Sequence, residues 1–267
     1  MPELPEVQTV LDGLEAAVKD RIIADLEGYY PGTVRLSPGL PQSCFPRRFA
    51  SFERRGKYMI IRLEGDLALI VHLRMTGKLV WDPSPGEILP HERARIILDA
   101  DQAVHFIDIR TFGKIILCRT EEIAEYLPDL GPEPLSNEFD KAYLATALAK
   151  RKAPIKNALL DQSLVAGLGN IYVLELLYRA GIDPRREACG LSSLQLGRIV
   201  KHTKEVLAEA LAANGTSVSD FRSIDDKTGE FQNFLRVYQK NECPRGHKIE
   251  VVKQAGRSSF FCPVCQK

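Results

Sequence analysis

The sequence lacks an excess of charge of either sign, so it lacks the simplest signature of a nucleic-acid-binding protein. Lys and Arg total 36 against 35 Asp and Glu, which gives a formal net charge of +1. It also lacks any apolar run of the roughly 18 residues that a membrane helix needs. No basic segment followed by an apolar stretch opens the chain, so we expect no signal peptide and a cytoplasmic protein.

Cysteine is scarce and unevenly placed. Cys44, Cys118 and Cys189 are scattered, and we expect them to be reduced, buried thiols. The other three lie near the C-terminus, where residues 236–267 carry seven Lys or Arg against two Asp or Glu, a local charge of +5. This tail predicts a phosphate-facing module, although a solvated surface is the bland alternative.

Hydrophobic periodicity predicts an α+β protein. Apolar residues recur at helical spacing over residues 3–19. Strand-length, β-branched segments separated by Gly, Pro and Asp follow up to about residue 118 and predict an antiparallel β-sandwich or barrel capped by the first helix. Gly131–Leu135 is a plausible linker to a helical region with Phe139–Lys150, Ile155–Leu160, Ile171–Ala180 and Ser192–Ala213. The expected domains are 1–130, 131–235 and a β-hairpin over 236–267.

The first motif with chemical potential is the terminus, Met-Pro-Glu-Leu-Pro-Glu. Removal of Met1 would leave Pro2 as a free secondary amine, about a tenth of which is neutral at pH 7. Such an amine attacks an aldehyde-level carbon to give an iminium, an electron sink for elimination. Glu3 could transfer protons and Glu6 is a second carboxylate one turn on. The structural alternative is a helix start with proline and acidic residues in its first turn.

Four further motifs are individually ambiguous. Arg54-Arg-Gly-Lys-Tyr58 could present Lys57 to a phosphate or be a surface turn, and His72-Leu-Arg-Met-Thr-Gly77 leaves an apolar strand into a glycine turn. Asp108-Ile-Arg-Thr-Phe-Gly113 could place an arginine to read a base and a phenylalanine to wedge into the stack, or form a structural Arg–Asp pair. Gly167-Leu-Gly-Asn-Ile-Tyr172 could bind a phosphate at a helix start that Asn170 caps, or be an ordinary turn between helices.

The last motif predicts a metal site. Cys243 and His247 are separated by three residues, and Cys262 and Cys265 by two, with 14 residues between the pairs. This spacing in a reduced compartment is typical of a zinc site. Four protein ligands leave no open position for catalysis, so the zinc would be structural. We therefore expect one structural Zn²⁺.

In this order the six elements resemble the formamidopyrimidine-DNA glycosylase/endonuclease VIII family over essentially the whole chain. The resemblance implies a helix-capped β-sandwich, a helix–two-turn–helix domain and a zinc hairpin, with DNA bound in the cleft between. It implies that Pro2 attacks the anomeric carbon, that Glu3 is the general acid/base, and that Lys57 and Glu6 complete the catalytic set. The DNA-binding residues that it implies are His72, Met75, Arg110, Phe112, Lys156, Asn170 and Arg257.

The resemblance also implies roles for these residues. Met75, Arg110 and Phe112 would fill the gap left by a flipped nucleotide and contact the orphaned cytosine, while Lys57, Asn170 and Arg257 would hold phosphates. The segment Thr216–Gly229 resembles the one that closes over oxidised guanine. Three residues depart from the family pattern: Gln8, Arg74, and Gly246 where a fourth cysteine is expected.

Leu4 and the Met75, Arg110 and Phe112 set resemble the branch acting on oxidised purines. We expect a bifunctional DNA glycosylase/AP lyase of base excision repair, a monomer acting on double-stranded DNA with oxidised purines or abasic sites, in the bacterial cytoplasm and without a redox or nucleotide cofactor. One alternative is an endonuclease VIII-like glycosylase for oxidised pyrimidines. The others are a catalytically silent damage-binding protein and a small-molecule enzyme with an N-terminal proline.

Overall fold

The computed structural model describes residues 1–40, 44–217, 224 and 229–267, and the chain divides into two compact units. The first contains Met1–Pro128 and Asn214–Glu230, and the second contains Asp129–Ala213 and Phe231–Lys267. Of the predicted closing segment, only Thr216, Ser217, Ile224 and Gly229 are described, so most of it lies outside the described residues.

The first unit begins with helix α1, Leu4–Val18. Its buried face carries the periodic apolar residues of the sequence: Val7, Val10, Leu11, Leu14 and Val18. These side chains are at most 2% exposed and join the main hydrophobic core, so burial of one apolar stripe is what holds the helix in place.

Nine strands follow α1 within the described residues. They are β1 (Ile22–Gly28), β2 (Val34–Leu36), β3 (Arg47–Arg55), β4 (Tyr58–Leu63), β5 (Leu67–His72), β6 (Gly77–Asp82), β7 (Glu92–Leu98), β8 (Ala103–Asp108) and β9 (Lys114–Arg119). Their spatial order is β2-β9-β5-β4-β3-β1-β7-β8-β6. Neighbours are antiparallel except β2 and β9, which pair in parallel, a departure from the fully antiparallel arrangement expected from sequence.

Strand β3 connects two halves of this sheet, because it pairs with β4 along most of its length and with β1 at its start. Residues of both halves, such as Val71 and Leu117 on one side and Ile96 and Phe106 on the other, belong to one buried cluster together with α1. The two halves therefore enclose a shared core as a helix-capped β-sandwich, which confirms the predicted α+β fold.

A short helix, α2 (Ile123–Tyr126), closes the first segment, and the second unit contains α3 (Lys141–Leu148), α4 (Ile155–Leu159), α5 (Asn170–Ala180) and α6 (Ser193–Ala212). Helix α6 begins with a capping box, in which Ser192 Oγ accepts from the backbone N–H of Gln195 and Gln195 Oε1 accepts from that of Ser192. Helix α5 ends at Gly181, whose φ of +70° provides the left-handed cap.

The second unit ends in a hairpin of β10 (Glu250–Gln254) and β11 (Arg257–Phe261). Its two-residue turn has positive φ at Ala255 and Gly256, the geometry that matches the twist of a β-hairpin. Cys44 and Cys118 are buried free thiols as expected, but Cys189 is exposed, because it lies in a 3₁₀ turn on the surface. No helix in the described part of the chain is both long and apolar enough to cross a membrane.

Candidate active site and nucleic-acid interface

The start of α1 brings together three of the predicted catalytic residues. Pro2 is half-buried, whereas Glu3 and Glu6 are only 4% and 3% exposed. Glu6 Oε2 accepts a hydrogen bond from the backbone N–H of Glu3 at 2.8 Å, and its Oε1 accepts from that of Thr216 at 2.7 Å. The Glu6 carboxylate therefore fixes the backbone that carries Glu3 and joins it to the described end of the 214–217 segment.

The Arg54–Tyr58 motif forms the turn between β3 and β4, with Gly56 at a φ of +58°. Arg54 Nε donates to Gln8 Oε1 at 2.9 Å, and Arg54 Nη1 donates to the carbonyl of Gly56 at 3.1 Å. These bonds tie the turn that carries the buried Lys57 to helix α1. Gln8, one of the departures from the family pattern, thus serves as a neutral acceptor for Arg54.

His72 ends β5 and is 7% exposed, with its ring edge-on to Tyr58 at 4.4 Å between centroids. Its Nδ1 accepts from the backbone N–H of Arg74 at 2.9 Å, so the proton of the neutral ring lies on Nε2. Burial, reinforced by the charges of Arg74 and Lys57, lowers the pKa of His72 to about 3. His72 is therefore a neutral hydrogen-bond donor at physiological pH.

The Met75 turn, between β5 and β6, and the Arg110–Phe112 turn, between β8 and β9, are joined by one buried carboxylate. Asp108 accepts from the hydroxyl of Thr76, from the backbone N–H of Arg110 at 3.2 Å and from that of Gly113 at 2.7 Å. Met75, Arg110 and Phe112 are all exposed. The two turns therefore present these three side chains to solvent from a shared polar anchor.

The alternative Arg–Asp pair is not what this motif forms. Among the described residues, the Asp108 carboxylate bonds to backbone N–H groups and Thr76, while the Arg110 guanidinium lies over the Phe112 ring at 4.9 Å. The glycine of each motif is required sterically. A Cβ at Gly113 would lie 2.4 Å from Phe106 Cζ, and one at Gly77 would lie 2.4 Å from the carbonyl oxygen of Leu73.

In the second unit, Lys156 and Asn170 both hold strand β11. Lys156 is fully buried, and its Nζ donates to Ser259 Oγ at 2.7 Å; burial, with the nearby charge of Arg257, lowers its pKa to about 8. Asn170 does not cap α5 as expected, because Gly169 occupies that position and the Asn170 amide instead donates to the Ser258 carbonyl at 3.1 Å. Arg257, at the start of β11, is exposed. Because Lys156 is buried, it contacts strand β11 and can affect the exposed Arg257 only through that strand.

The four predicted metal ligands come together at the base of this hairpin. One ligand atom from each of Cys243, His247, Cys262 and Cys265 lies within 4.8 Å of the others. Cys243 Sγ lies 4.0 Å from Cys265 Sγ, and His247 Nδ1 lies 3.3 Å from Cys265 Sγ. Tetrahedral zinc with Zn–S bonds near 2.3 Å needs sulfur atoms about 3.8 Å apart, so these residues fit one structural zinc ion.

Backbone groups around the first ligand pair favour a thiolate. Burial raises the pKa of Cys243, but hydrogen bonds from the backbone N–H groups of Arg245 and His247, together with those from the side chains of Tyr178 and Cys262, outweigh that effect and bring it to about 6. The turn is closed by the N–H of Gly246, which donates to the Cys243 carbonyl at 2.8 Å, with Gly246 at a φ of +75°. The extra residue of the Cys-x3-His pair is therefore absorbed in a tight turn.

The sequence did not single out Glu175, a fully buried carboxylate on α5. Its Oε1 accepts from the backbone N–H groups of Val237 at 3.0 Å and Tyr238 at 2.9 Å, and its Oε2 accepts from that of Arg236 at 2.8 Å. Glu175 thus holds the segment that leads into the zinc hairpin. A glutamate on the apolar face of a predicted helix was the available signal, since such a side chain is rarely buried without a specific partner.

Comparisons with known proteins agree along the whole chain. Three family models match: the formamidopyrimidine-DNA glycosylase N-terminal domain at residues 1–115, its H2TH domain at 130–222, and a zinc finger found in FPG and IleRS at 242–267. The formamidopyrimidine-DNA glycosylase of Desulfitobacterium hafniense (strain Y51) is 41% identical over 279 residues, covering 100% of both chains.

Two solved structures of Lactococcus lactis Fpg variants are similar to this chain over its full length. Each has a TM-score of 0.92 and 36% identity, with 100% of both chains covered. One variant is in complex with DNA containing Fapy-dG. The other, in which Gly-His replaces a cysteine, is in complex with DNA containing THF.

Proposed function

Because this chain belongs to the formamidopyrimidine-DNA glycosylase family and is a DNA glycosylase of base excision repair, we propose that it excises oxidised purines through a Schiff base on Pro2. The observation that carries the proposal is the start of α1, where Pro2 adjoins a buried Glu3 whose backbone is fixed by Glu6. A damage-binding protein without activity has no use for this arrangement.

The chemistry follows from the amine and the carboxylate. The lone pair of the Pro2 nitrogen attacks C1′, and the electron pair of the glycosidic bond leaves with the base, which takes up a proton. Opening of the sugar and loss of the nitrogen's proton give an iminium, into which electrons flow as a base removes a C2′ proton. Two eliminations then break the C3′–O and C5′–O bonds, with Glu3 transferring protons. The first elimination takes the C2′ proton and the second takes the C4′ proton. Water then hydrolyses the conjugated iminium, which releases the sugar as an unsaturated aldehyde and restores the Pro2 amine. The products are the free base, this sugar fragment and a one-nucleotide gap.

DNA recognition is divided among the three segments 1–130, 131–235 and 236–267. Met75, Arg110 and Phe112 fill the space of the flipped nucleotide, and the joint Asp108 anchor supports this role because it presents all three from one rigid base. Lys57, His72, Asn170 and Arg257 contact phosphates, His72 as a neutral donor. Lys156 supports Arg257 by binding Ser259 of the same strand.

The zinc ion organises the hairpin and takes no part in bond breaking, because four protein ligands saturate it. His247 fits as the fourth ligand through Nδ1. Support comes from the Lactococcus lactis variant described above, since its Gly-His replacement is the dipeptide that this chain has at Gly246 and His247.

The test is borohydride trapping on a duplex with one 8-oxoguanine. Intact mass should first establish that Met1 is absent. The adduct should map to Pro2, and Pro2→Gly or a blocked terminus should lose most of it. Glu3→Gln should lose base excision, because an amide cannot transfer the proton. Glu15→Gln, an exposed carboxylate on the same helix, is the matched control and should behave like the wild type.

Two results would contradict the proposal. An adduct on Lys57 would exclude Pro2 as nucleophile. Faster excision from a matched duplex containing an oxidised pyrimidine would instead favour an endonuclease VIII-like specificity.

A further inference from the structure

The turn of residues 109–113 is mostly exposed and contains one strained backbone position. Ile109, Arg110 and Phe112 are exposed, and Thr111 has a φ of +59°, a left-handed conformation that favours glycine. Asp108 anchors the turn from the inside, as described above. A strained, exposed turn needs further anchors if its side chains are to stay in one orientation.

A second anchor comes from Arg93 on β7. Its Nε donates to the backbone carbonyl of Asp108 at 2.8 Å, so it holds this residue through its main chain and not through its carboxylate. The Arg93 guanidinium carbon lies 5.2 Å from the centre of the Tyr30 ring. The N–H groups of Tyr29 and Tyr30 in turn donate to the Arg93 carbonyl at 2.8 and 3.3 Å. Arg93 is therefore held by its own backbone and by a ring while it holds the turn.

The same guanidinium also reaches His91. Arg93 Nη2 lies 3.3 Å from His91 Nδ1, and because a guanidinium can only donate, Nδ1 must accept and the ring proton lies on Nε2. His91 has a φ of +63°, and its carbonyl accepts from the N–H of Asp108 at 3.0 Å. Arg93 thus contacts both the carbonyl of Asp108 and the side chain of His91, whose own backbone carbonyl holds the Asp108 N–H.

We propose that Arg93 is a positioning residue that sets the orientation of the 109–113 turn and, through Arg110, the discrimination among bases opposite the lesion. The inference rests on the proposed function, in which Arg110 contacts the orphaned base. The guanidinium of Arg93 is engaged by Asp108, His91 and Tyr30. It acts on the turn and not on a DNA phosphate.

The test compares Arg93→Met, Arg93→Lys and Arg110→Ala with the wild type. Excision of 8-oxoguanine opposite each of the four bases is measured as kcat and KM. We expect Arg93→Met to reduce the preference for cytosine over adenine roughly tenfold, the effect of one lost hydrogen bond to a charged group, and Arg110→Ala to reduce it at least as much. Arg93→Lys should restore part of the preference, because an ammonium can still donate to the Asp108 carbonyl.

The matched control is Arg119→Met. Arg119, at the far end of β9, also donates from its guanidinium to a backbone carbonyl, that of Gly39 at 3.2 Å. It should leave the opposite-base preference unchanged. Thermal unfolding of every variant separates a change of selectivity from a loss of folded protein.

Binding to a duplex with a non-cleavable tetrahydrofuran site provides the second measurement. The slope of log K against log salt should be the same for Arg93→Met and wild type, since the loss of one phosphate contact would reduce the magnitude of this negative slope by about 0.9. A lowered slope, or an unchanged opposite-base profile in Arg93→Met, overturns the positioning role. If the wild type excises no 8-oxoguanine, the proposed function fails. The role of Arg93 is still tested by comparing the affinities of wild type and Arg93→Met for tetrahydrofuran duplexes with cytosine or adenine opposite the site.

Discussion

Replacing Glu175 by glutamine should loosen the segment that leads into the zinc hairpin. The carboxylate accepts three backbone N–H groups at 2.8 to 3.0 Å and is fully buried. In the variant, the amide oxygen can keep the bonds from Val237 and Tyr238 in weaker, neutral form. The amide nitrogen then faces the N–H of Arg236, which loses its acceptor inside the protein.

The magnitude follows from these three bonds. A buried donor left without a partner costs about 1–3 kcal/mol, and two bonds that lose their charged acceptor weaken by a further ~1 kcal/mol in total. We therefore expect Glu175→Gln to destabilise residues 236–238 by about 3 kcal/mol. If zinc leaves through opening of this segment, its release to a chelator should accelerate up to about a hundredfold.

The assay is the rate of zinc transfer to a colorimetric chelator, alongside duplex binding and thermal unfolding. Glu205→Gln is the control, because Glu205 is a partly exposed carboxylate on α6 that contacts Lys201 and His202 at the surface, and such contacts are worth at most about 1 kcal/mol. Wild-type rates of zinc release and wild-type DNA affinity in Glu175→Gln would refute this reasoning, because they would mean that the three hydrogen bonds do not hold the hairpin.

Two further predictions concern histidines. His247→Ala should release zinc, measured by elemental analysis, and abolish DNA binding while both units still unfold cooperatively; full zinc and full activity would show that His247 is not a ligand. His72 should remain neutral, so its ring resonances should not titrate between pH 5 and 8, whereas a midpoint near 6.5 would contradict the buried site. The pKa of His72 is about 3 in the folded protein and about 6.5 in the unfolded chain, so its contribution to stability is complete above pH 6.5 and is lost as the pH falls. The free energy of unfolding should therefore decrease by up to about 1.4 kcal/mol per pH unit below pH 6.5, and His72→Phe should remove this slope.

Local sequence patterns predicted the elements that depend on local interactions. The apolar stripe over residues 3–19 predicted a helix, and α1 occupies Leu4–Val18. The pattern over Ile171–Ala180 likewise matches α5, which starts one residue earlier. Helical periodicity and capping depend on residues within a few positions of one another, so the local sequence is sufficient to predict these helices.

The functional motifs were harder to interpret from the sequence, because the few residues of each motif are explained about as well by a structural role as by a functional one. Asp108 is an example. Its carboxylate bonds to Thr76, which lies 32 residues away, and its carbonyl to Arg93, 15 residues away. No local rule predicts such pairs, and the same limit explains why Asn170 was expected to cap α5 when it in fact binds Ser258. Only the order of the motifs along the whole chain was specific.

The metal site shows how an irregular spacing can still satisfy a strict geometry. An imidazole reaches further from its backbone than a thiolate does. The ring nitrogen that faces the sulfur atoms is Nδ1, which lies nearer the backbone than Nε2 but one bond further from it than a cysteine Sγ. Gly246, with its φ of +75° and its N–H bound to the Cys243 carbonyl, turns the chain back within three residues. The N–H of Cys243 then donates to the carbonyl of His247 at 2.9 Å, so the backbone itself delivers the imidazole to the ligand cluster.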